Sequence, residues 1–470
     1  MYSLDEALKL DQAEVFRIYR QFSNVKLPDI YKKFGFGRSQ IHRASGCVLT
    51  TSEGVDKFDL TGGLGVANFG HNNEKILRAR REFVASRRPE IHKSYLNPLL
   101  AAASFNLSYV LGHGLKYSFF CNSGGEAVDG ALKITYKKYN GERKIVLHSN
   151  RSFHGKTIGA GSLSAGDNFV GGNSRFYFQK IPGVIQYDFN NIDSLKATIN
   201  TVGAGNIYAI FVEPYSCSTM SECSQEFLQA LRDICDSENI CLVYDEIYSG
   251  FGKCGYDFYF HKYGLSPDVI CLSKALGGGK ASISAYVAKA DVFAKAYGSV
   301  SGALTHSSTY NSFGEECATV IEACKILIDD TISKNAKNIE SVLFDTLTKW
   351  KDDPDCPLRD FRGAGSHFGL IFDNPLGVLQ PLFKVFPIDY TSDPLFASKL
   401  YVTSLVNALW EEADCLCSFT SNQEVILNIS PAPIACVEDL RIVLEKVRRV
   451  LDKNPIKLVS TIVRNSGRPI

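Results

Sequence analysis

At 470 residues, with 45% hydrophobic and 21% charged side chains, the chain is long enough to bury a large core and to divide into more than one domain. Its formal net charge is +1 and no long run of one sign occurs, which speaks against nucleic acid or an anionic membrane as partner and leaves small molecules as the expected ligands. No apolar run approaches the roughly 18 residues of a membrane helix, so no membrane association is expected.

Residues 4 to 22 space Leu4, Ala7, Leu8, Leu10, Val15 and Ile18 at near-helical intervals, which predicts an amphipathic N-terminal helix that packs on a neighbour. Asp5, Glu6 and Asp11 make this start unlike a secretory signal. From "YSFFCN" (117–122) onward, short apolar runs alternate with helical patterns: "KIVLHS", "IYAIFVEP", "QEFLQALRDICDSE", "ICLVYDEI", "DVICLS" and "ISAYVAK". That alternation predicts an α/β domain with a mostly parallel sheet and helices on its faces. A long helical pattern from about Glu315 to Trp350 leads into the strand-like "HFGLIF" and "EVILNIS" and the helix "VEDLRIVLEKVRRVL", which predict a smaller α+β domain. The expected division is 1–80 for the N-terminal helix and part of the small domain, 81–335 for the large domain, and 336–470 for the C-terminal small domain. Fourteen cysteines are scattered, several in predicted strands (Cys121, Cys241, Cys271), as buried thiols are in a reducing compartment, so a cytoplasmic location is expected. Cys217 with Cys223, and Cys415 with Cys417, lack paired zinc spacing, and no metal is expected.

The stretch "DVICLSKALGGGKAS" (268–282) sets two lysines around three glycines. A phosphate loop ending in Gly279-Lys280 fails, because its first glycine falls on Lys274 and its hydroxyl position on Ala281. In open α/β sheets ligands bind beyond the carboxyl ends of the strands, so residues following each apolar run belong together. They are Asn122-Ser123-Gly124-Gly125-Glu126, a turn that brings a helix N-terminus to a phosphate; Ser152-Phe153-His154-Gly155, an aromatic beside a tight turn; Asp245-Glu246; and Lys274. A strand-end lysine over a pocket is desolvated and nucleophilic, whereas one at a glycine turn is solvated, which favours Lys274 over Lys280. A phosphate seat, a stacking aromatic, a carboxylate for a ring nitrogen and an aldehyde-trapping lysine together point to pyridoxal phosphate.

Over about residues 40 to 450 the sequence also resembles the class-III, ω-type aminotransferases of the fold-type-I pyridoxal-phosphate enzymes. The likeness lies in "KFDLTGGLGVANFGH" (57–71), "CNSGGEAVDGALK" (121–133), "SFHGKTIGA" (152–160), "FVEP" (211–214), "VYDEIYSGFGKCG" (243–255), "PDVICLSKALGGG" (267–279), "HSSTY" (306–310), "FRGAG" (361–365) and "ISPAPI" (429–434). "LKYSFFCNSG" (115–124) particularly resembles the putrescine branch, and putrescine and ornithine aminotransferases are the nearest in kind. The resemblance implies a large domain around a seven-stranded sheet and a homodimer with shared active sites. It implies that Lys274 holds the cofactor as a Schiff base, Asp245 meets the pyridinium nitrogen, Phe153 stacks on one ring face and Ile247 packs on the other. Ser123, Gly124 and Gly125 fall at the phosphate, with a hydroxyl from Thr309 of the neighbouring subunit; His154 and Glu213 fall near the cofactor. Leu64, Ser218 and Asn428 fall at the substrate pocket.

Three departures accompany the likeness. Gly125 stands where the family usually has Ser or Thr, and Tyr248 where a Gln meets the ring hydroxyl; a phenol can still donate there. The usual "EPxQGEGG" reads "EPYSCSTM" and the usual Arg of "LRxxPP" is Asn428. In the ornithine and 4-aminobutyrate enzymes that Arg receives the α-carboxylate of glutamate and the Glu pairs with it when idle; here Asn428 and Ser218 replace both halves. The expected activity is transfer of an amino group from an amine or amino acid of the diamine or ω-amine type to a carbonyl acceptor. An aminomutase or epimerase on the same fold, and a non-enzymatic relative, stand as rivals. A nicotinamide enzyme is set aside, because Gly63-Leu64-Gly65 has Asn68 at the third glycine.

Overall fold

The computed structural model describes residues 1–34, 39–90, 95–165, 180–377, 394–421 and 424–466. Its strands are β1 (Ile41–Ser45), β2 (Val48–Thr51), β3 (Asp56–Asp59), β4 (Leu115–Cys121), β5 (Ile145–Ser149), β6 (Val184–Tyr187), β7 (Ile207–Val212), β8 (Tyr215–Ser216), β9 (Ser221–Glu222), β10 (Cys241–Asp245), β11 (Val269–Leu272), β12 (Ser284–Lys289), β13 (Leu358–Ala364), β14 (His367–Phe372), β15 (Cys415–Leu416), β16 (Ser418–Ser421) and β17 (Val425–Ile429).

Seven of them form the central sheet in the order β4-β12-β11-β10-β7-β5-β6. Only β12 runs antiparallel to its neighbours, so the sheet is mostly parallel, as its alternating strand and helix patterns predict. Successive side chains leave a strand on opposite faces, and here both faces are covered. Leu147, Ile210, Leu242, Ile270 and Val287 enter one core with helices Pro98–Leu111, Gln225–Ser237 and Gly314–Asp329. Val146, Ala209, Val243, Val269 and Ala288 enter the other, under helix Gly124–Lys138. Burial on both faces is why these strands read as unbroken apolar runs. Truncating one, as in Leu242→Ala, costs about 2–5 kcal/mol by lost transfer energy and cavity formation.

A separate core gathers Ile339, Leu343 and Leu347 of helix Ile332–Asp352 with Leu370 of β14, Leu427 and Ile429 of β17, and helices Phe396–Glu412 and Val437–Leu451. Its sheet is antiparallel, in the order β13-β14-β17-β16, while β1, β2 and β3 form a meander that β15 joins in parallel.

The helical patterns are cut where the sequence reads as continuous. The expected N-terminal helix is two, Leu4–Ala7 and Gln12–Phe22, because the Asp11 carboxylate accepts from Glu14 N and starts a new helix. Neither buries a residue within this chain. The pattern from Glu315 to Trp350 is broken at Thr331, which takes the left-handed conformation at φ 52° and ends the hydrogen-bond ladder. A last helix, Pro455–Ser466, follows the expected one. Among the described residues no helix is long and apolar enough to cross a membrane, and no cluster of His, Cys, Asp or Glu could hold a metal ion.

Candidate active site

Parallel pairing sets Asp245 at the end of β10 opposite Cys271 of β11, and Lys274 follows three residues later. The two groups therefore share the carboxyl edge of the sheet. Lys274 has φ 48°, a left-handed backbone rare for a residue with a side chain and frequent at functional sites. The glycines after it serve the turn: Gly278 has φ +57°, and a Cβ there would meet Ile76 Cδ1 at 2.8 Å. Lys280 lies exposed beyond them.

Behind Asp245 stands a row of buried titratable groups. Asp245 Oδ1 accepts from Ile247 N at 3.0 Å, and Oδ2 pairs with His154 Nδ1 at 2.8 Å. Burial opposes charge on His154, but the hydrogen bond and charge of Asp245 outweigh it and raise the imidazole above its ordinary range. Its Nε2 is buried without a hydrogen-bond partner among the described residues. Burial pushes the Glu213 carboxyl up to about 7, against the pull of His154, and Glu213 Oε2 accepts from Phe153 N at 2.9 Å. Glu213 thus pins the loop that carries Phe153, which is half-buried.

That loop meets the start of helix Gly124–Lys138. Ser123 caps it through Glu126 N at 3.4 Å, and Glu126 reaches back to Asn122 N at 2.6 Å. The first-turn N–H groups have no intrahelical partner, which makes the end an anion seat. A Cβ on Gly124 would meet Ile247 Cδ1 at 2.9 Å, and one on Gly125 would meet Thr157 Cγ2 at 2.8 Å and Oγ1 at 3.1 Å. The lack of a side chain at Gly125 therefore leaves Thr157 beside the helix N-terminus. Thr157 spends no hydroxyl on capping its own short helix.

On the other side, Tyr248 is turned toward the second sheet. Its hydroxyl lies 3.0 Å from His367 Nδ1 and 2.9 Å from Ser430 Oγ, and Lys274 Nζ sits 4.2 Å from its ring centroid. Burial pushes the phenol well above its usual range. His367 and Ser430 escaped the sequence reading, which took "HFGLIF" only as a strand. The available signal was the period-two spacing of Ile426 and Asn428, which share the β17 face opposite Leu427, with Ser430 next in that spacing just beyond the strand. Lys253 is also buried here, donating to Ser430 O at 3.0 Å and Pro431 O at 2.9 Å.

Leu64 protrudes at 62% exposure from a left-handed turn, whose Asp59 carboxylate gathers the N–H groups of Thr61, Gly62 and Gly63. Gly65 in that turn faces Tyr248 and the Lys274 stem. Asn428 is buried, gives Nδ2 to Ser418 Oγ at 3.3 Å, and leaves Oδ1 without a hydrogen-bond partner among the described residues. Ser218 Oγ lies 3.3 Å from Ser216 Oγ and donates to Arg151 O at 3.4 Å. Thr309 is exposed, on the segment between helices Ala290–Tyr297 and Gly314–Asp329, apart from the groups above.

A lysine amine and a braced carboxylate at the carboxyl ends of adjacent strands, with a helix N-terminus cleared by two glycines, fit a phosphate-bearing pyridine aldehyde. The comparisons with known proteins agree with this chemistry. The family model for class-III aminotransferases matches residues 36–382. The acetylornithine aminotransferase of Methanocaldococcus jannaschii is 30% identical over 410 residues, covering 82% of this chain and 96% of that protein. The ornithine aminotransferase of Toxoplasma gondii ME49 has the same fold, with a TM-score of 0.78 at 21% identity, covering 96% of this chain and 98% of that one. An amine transaminase from an uncultivated Pseudomonas species, solved with PLP bound, gives a TM-score of 0.76 at 20% identity, covering 88% of this chain and 94% of its own. The chain belongs to the class-III aminotransferase family.

Proposed function

We propose that this chain transfers an amino group from an amine or amino acid of the diamine or ω-amine type to a carbonyl acceptor, with pyridoxal phosphate held between Lys274 and Asp245. The carrying observation is their juxtaposition at the carboxyl edge of β10 and β11, with His154 braced behind the carboxylate. When bound, the cofactor supplies an aldehyde that condenses with amines and a ring that takes up the electron pair left by a departing proton. Lys274 Nζ would hold that aldehyde at rest; displaced by the substrate's amine, the freed lysine amine would remove the proton from the amine-bearing carbon of the substrate and return it one conjugated position along. Asp245 keeps the ring nitrogen protonated, while Phe153 and Ile247 enclose the ring. Gly124 and Gly125 give backbone N–H groups to the phosphate, and Thr157 supplies the hydroxyl that position 125 lacks.

The test is anaerobic mixing of the pure holoenzyme with a panel of amines. Bleaching of the cofactor band with release of a carbonyl product supports transfer. An isomerised amine without a carbonyl product would instead mark an aminomutase or epimerase.

Asn428 and Ser218 favour substrates that make no Arg–carboxylate fork at position 428. An Arg–carboxylate pair joins charge to two parallel hydrogen bonds, and an amide supplies neither charge nor fork. Arg362 is committed elsewhere, to Glu424 at 2.7 Å and Thr219 O at 2.6 Å, Arg43 is exposed, and Arg38 lies outside the described residues. We expect 2-oxoglutarate to be a poor acceptor and Asn428→Arg to improve it, since loss of such a pair costs about 2–5 kcal/mol, roughly 30- to several-thousand-fold in binding. Wild type preferring 2-oxoglutarate over pyruvate and simple aldehydes, with no gain in the variant, would refute this.

The same reading makes the protein a homodimer in which Thr309 of the partner subunit completes the phosphate seat. Exposed apolar side chains in and beside that segment support it: Val300, Leu304 and Tyr310 within it, and Leu96, Phe105 and Tyr109 at helix Pro98–Leu111, which Asn97 Nδ2 ties to Ser312 O at 2.8 Å. Of the divisions 1–80, 81–335 and 336–470, the one between 335 and 336 is supported by the change of core between Ile332 and Ile339, whereas Leu60 joins the second core and Phe69 and Ile76 already join the first. A reducing, cytoplasmic setting is supported by fourteen free cysteines.

A further inference from the structure

Tyr248 brings two unlike surfaces into the site. Its hydroxyl closes a triangle with His367 Nδ1 at 3.0 Å and Ser430 Oγ at 2.9 Å, and those two atoms lie 2.9 Å apart. His367 Nε2 faces the Cys217 carbonyl oxygen at 3.3 Å. A carbonyl can only accept, so Nε2 carries the imidazole proton and Nδ1 is a bare acceptor. His367 is buried, and that burial, with the charge of Lys253 nearby, holds its pKa down at about 3, so the ring keeps a single proton. Nδ1 accepts one proton of the triangle, from the phenol or from Ser430, and in both arrangements the phenol hydroxyl is engaged there. What Tyr248 offers the pocket is its ring face.

Lys274 Nζ lies 4.2 Å from the centroid of that face, well within the ~6 Å over which an aromatic quadrupole attracts an ammonium. Gly65 keeps the approach open: a Cβ there would meet Tyr248 Cε2 at 2.9 Å and Lys274 Cδ at 3.5 Å. Lys253, Cys217 and His367 each lie within electrostatic reach of Lys274, and Asp245 and Glu213 share the surroundings of Cys217 with it.

We propose that the Tyr248 ring is the resting seat of the Lys274 amine whenever that nitrogen is not bonded to the cofactor, and that His367 and Ser430 are positioning residues that hold the ring there through its hydroxyl. The proposal rests on Lys274 being the cofactor lysine. It differs from a phenol that donates to the cofactor's ring oxygen, and two variants give crossed outcomes. Tyr248→Phe keeps the face and loses the hydroxyl; Tyr248→Gln keeps a donor and loses the face.

With a seat, Tyr248→Phe, which keeps the face but frees it from His367 and Ser430, lowers kcat by no more than about threefold, while Tyr248→Gln lowers it by about five- to thirtyfold with little change in the KM for the amine. In the cofactor-free full-length chain, an acylating reagent at fixed pH should label Lys274 about five- to thirtyfold faster in Tyr248→Gln than in wild type, with Tyr248→Phe within about threefold of wild type. His367→Leu should match Tyr248→Phe, moving both readouts in the Gln direction and less far, with melting temperature as the check on folding. The reverse order, Phe slow and Gln normal, overturns the proposal, as do equal labelling rates across the series. A Tyr248→Phe enzyme more than tenfold slower overturns it without the Gln variant. Borohydride fixing the cofactor on another lysine in wild type would remove its foundation, an outcome distinct from a fixed Lys274 indifferent to the ring.

Discussion

At Asp245 one carboxylate divides its lone pairs between the Ile247 amide and the His154 imidazole, and in the proposed function it also meets the cofactor's ring nitrogen. Asp245→Asn keeps the shape and loses the charge that holds a proton on that nitrogen. The cofactor should stay bound while turnover falls by about two to four powers of ten, each power being ~1.4 kcal/mol of lost transition-state stabilisation. Steady-state kinetics with the spectrum of the bound cofactor check this, and a near-normal rate would leave Asp245 a structural role. Asp245 and Lys274 were legible because each ends an apolar strand, and strand ends in such sheets converge. The triangle around Tyr248 was not: His367 and Ser430 are 119 and 182 positions away, and only the packing of the second sheet on the first brings them together. Thr157 was equally hidden, since its place beside the helix N-terminus depends on the missing side chain at Gly125.

At the scale of elements, Lys253 ties the end of β17 to the large sheet. Its ammonium is fully buried and donates to two carbonyls of the segment Ser430-Pro431. Lys253→Met leaves both carbonyls unpaired and should destabilise the protein by about 1–3 kcal/mol at neutral pH. Burial lowers the lysine to about 8, so between pH 8 and its ordinary value near 10.5 the unfolded chain binds the proton that the folded chain has released. Stability from this group therefore rises with pH across that window, and the advantage of wild type over Lys253→Met should grow from pH 8 to pH 10 in denaturant unfolding. A constant difference would mean the folded chain keeps the proton. Individual strands were readable from their apolar runs, whereas helix ends were less so: Asp11 and Thr331 each act through one local backbone choice, which hydrophobic spacing does not register.

For the whole molecule, the mostly parallel sheet followed from the alternation of strand and helix patterns, because crossover units leave few other arrangements. The proposed pairing of subunits has indirect support only, in the exposed apolar side chains Val300, Leu304 and Tyr310 on the segment that carries Thr309. If Thr309 serves the partner's phosphate, Thr309→Val and Lys274→Ala subunits should each have low activity alone and regain about one working site per heterodimer when mixed. Subunits carrying both changes should give no such recovery with either single variant, and failure of the first mixture would place Thr309 outside any shared site.

The central claim is that Lys274 holds pyridoxal phosphate and moves the proton. Borohydride reduction of the yellow holoenzyme, followed by peptide mapping, tests it most directly. The account predicts the fixed cofactor on Lys274, with no fixed label in Lys274→Ala; a label on Lys253 or Lys280, or one that persists in Lys274→Ala, would contradict it.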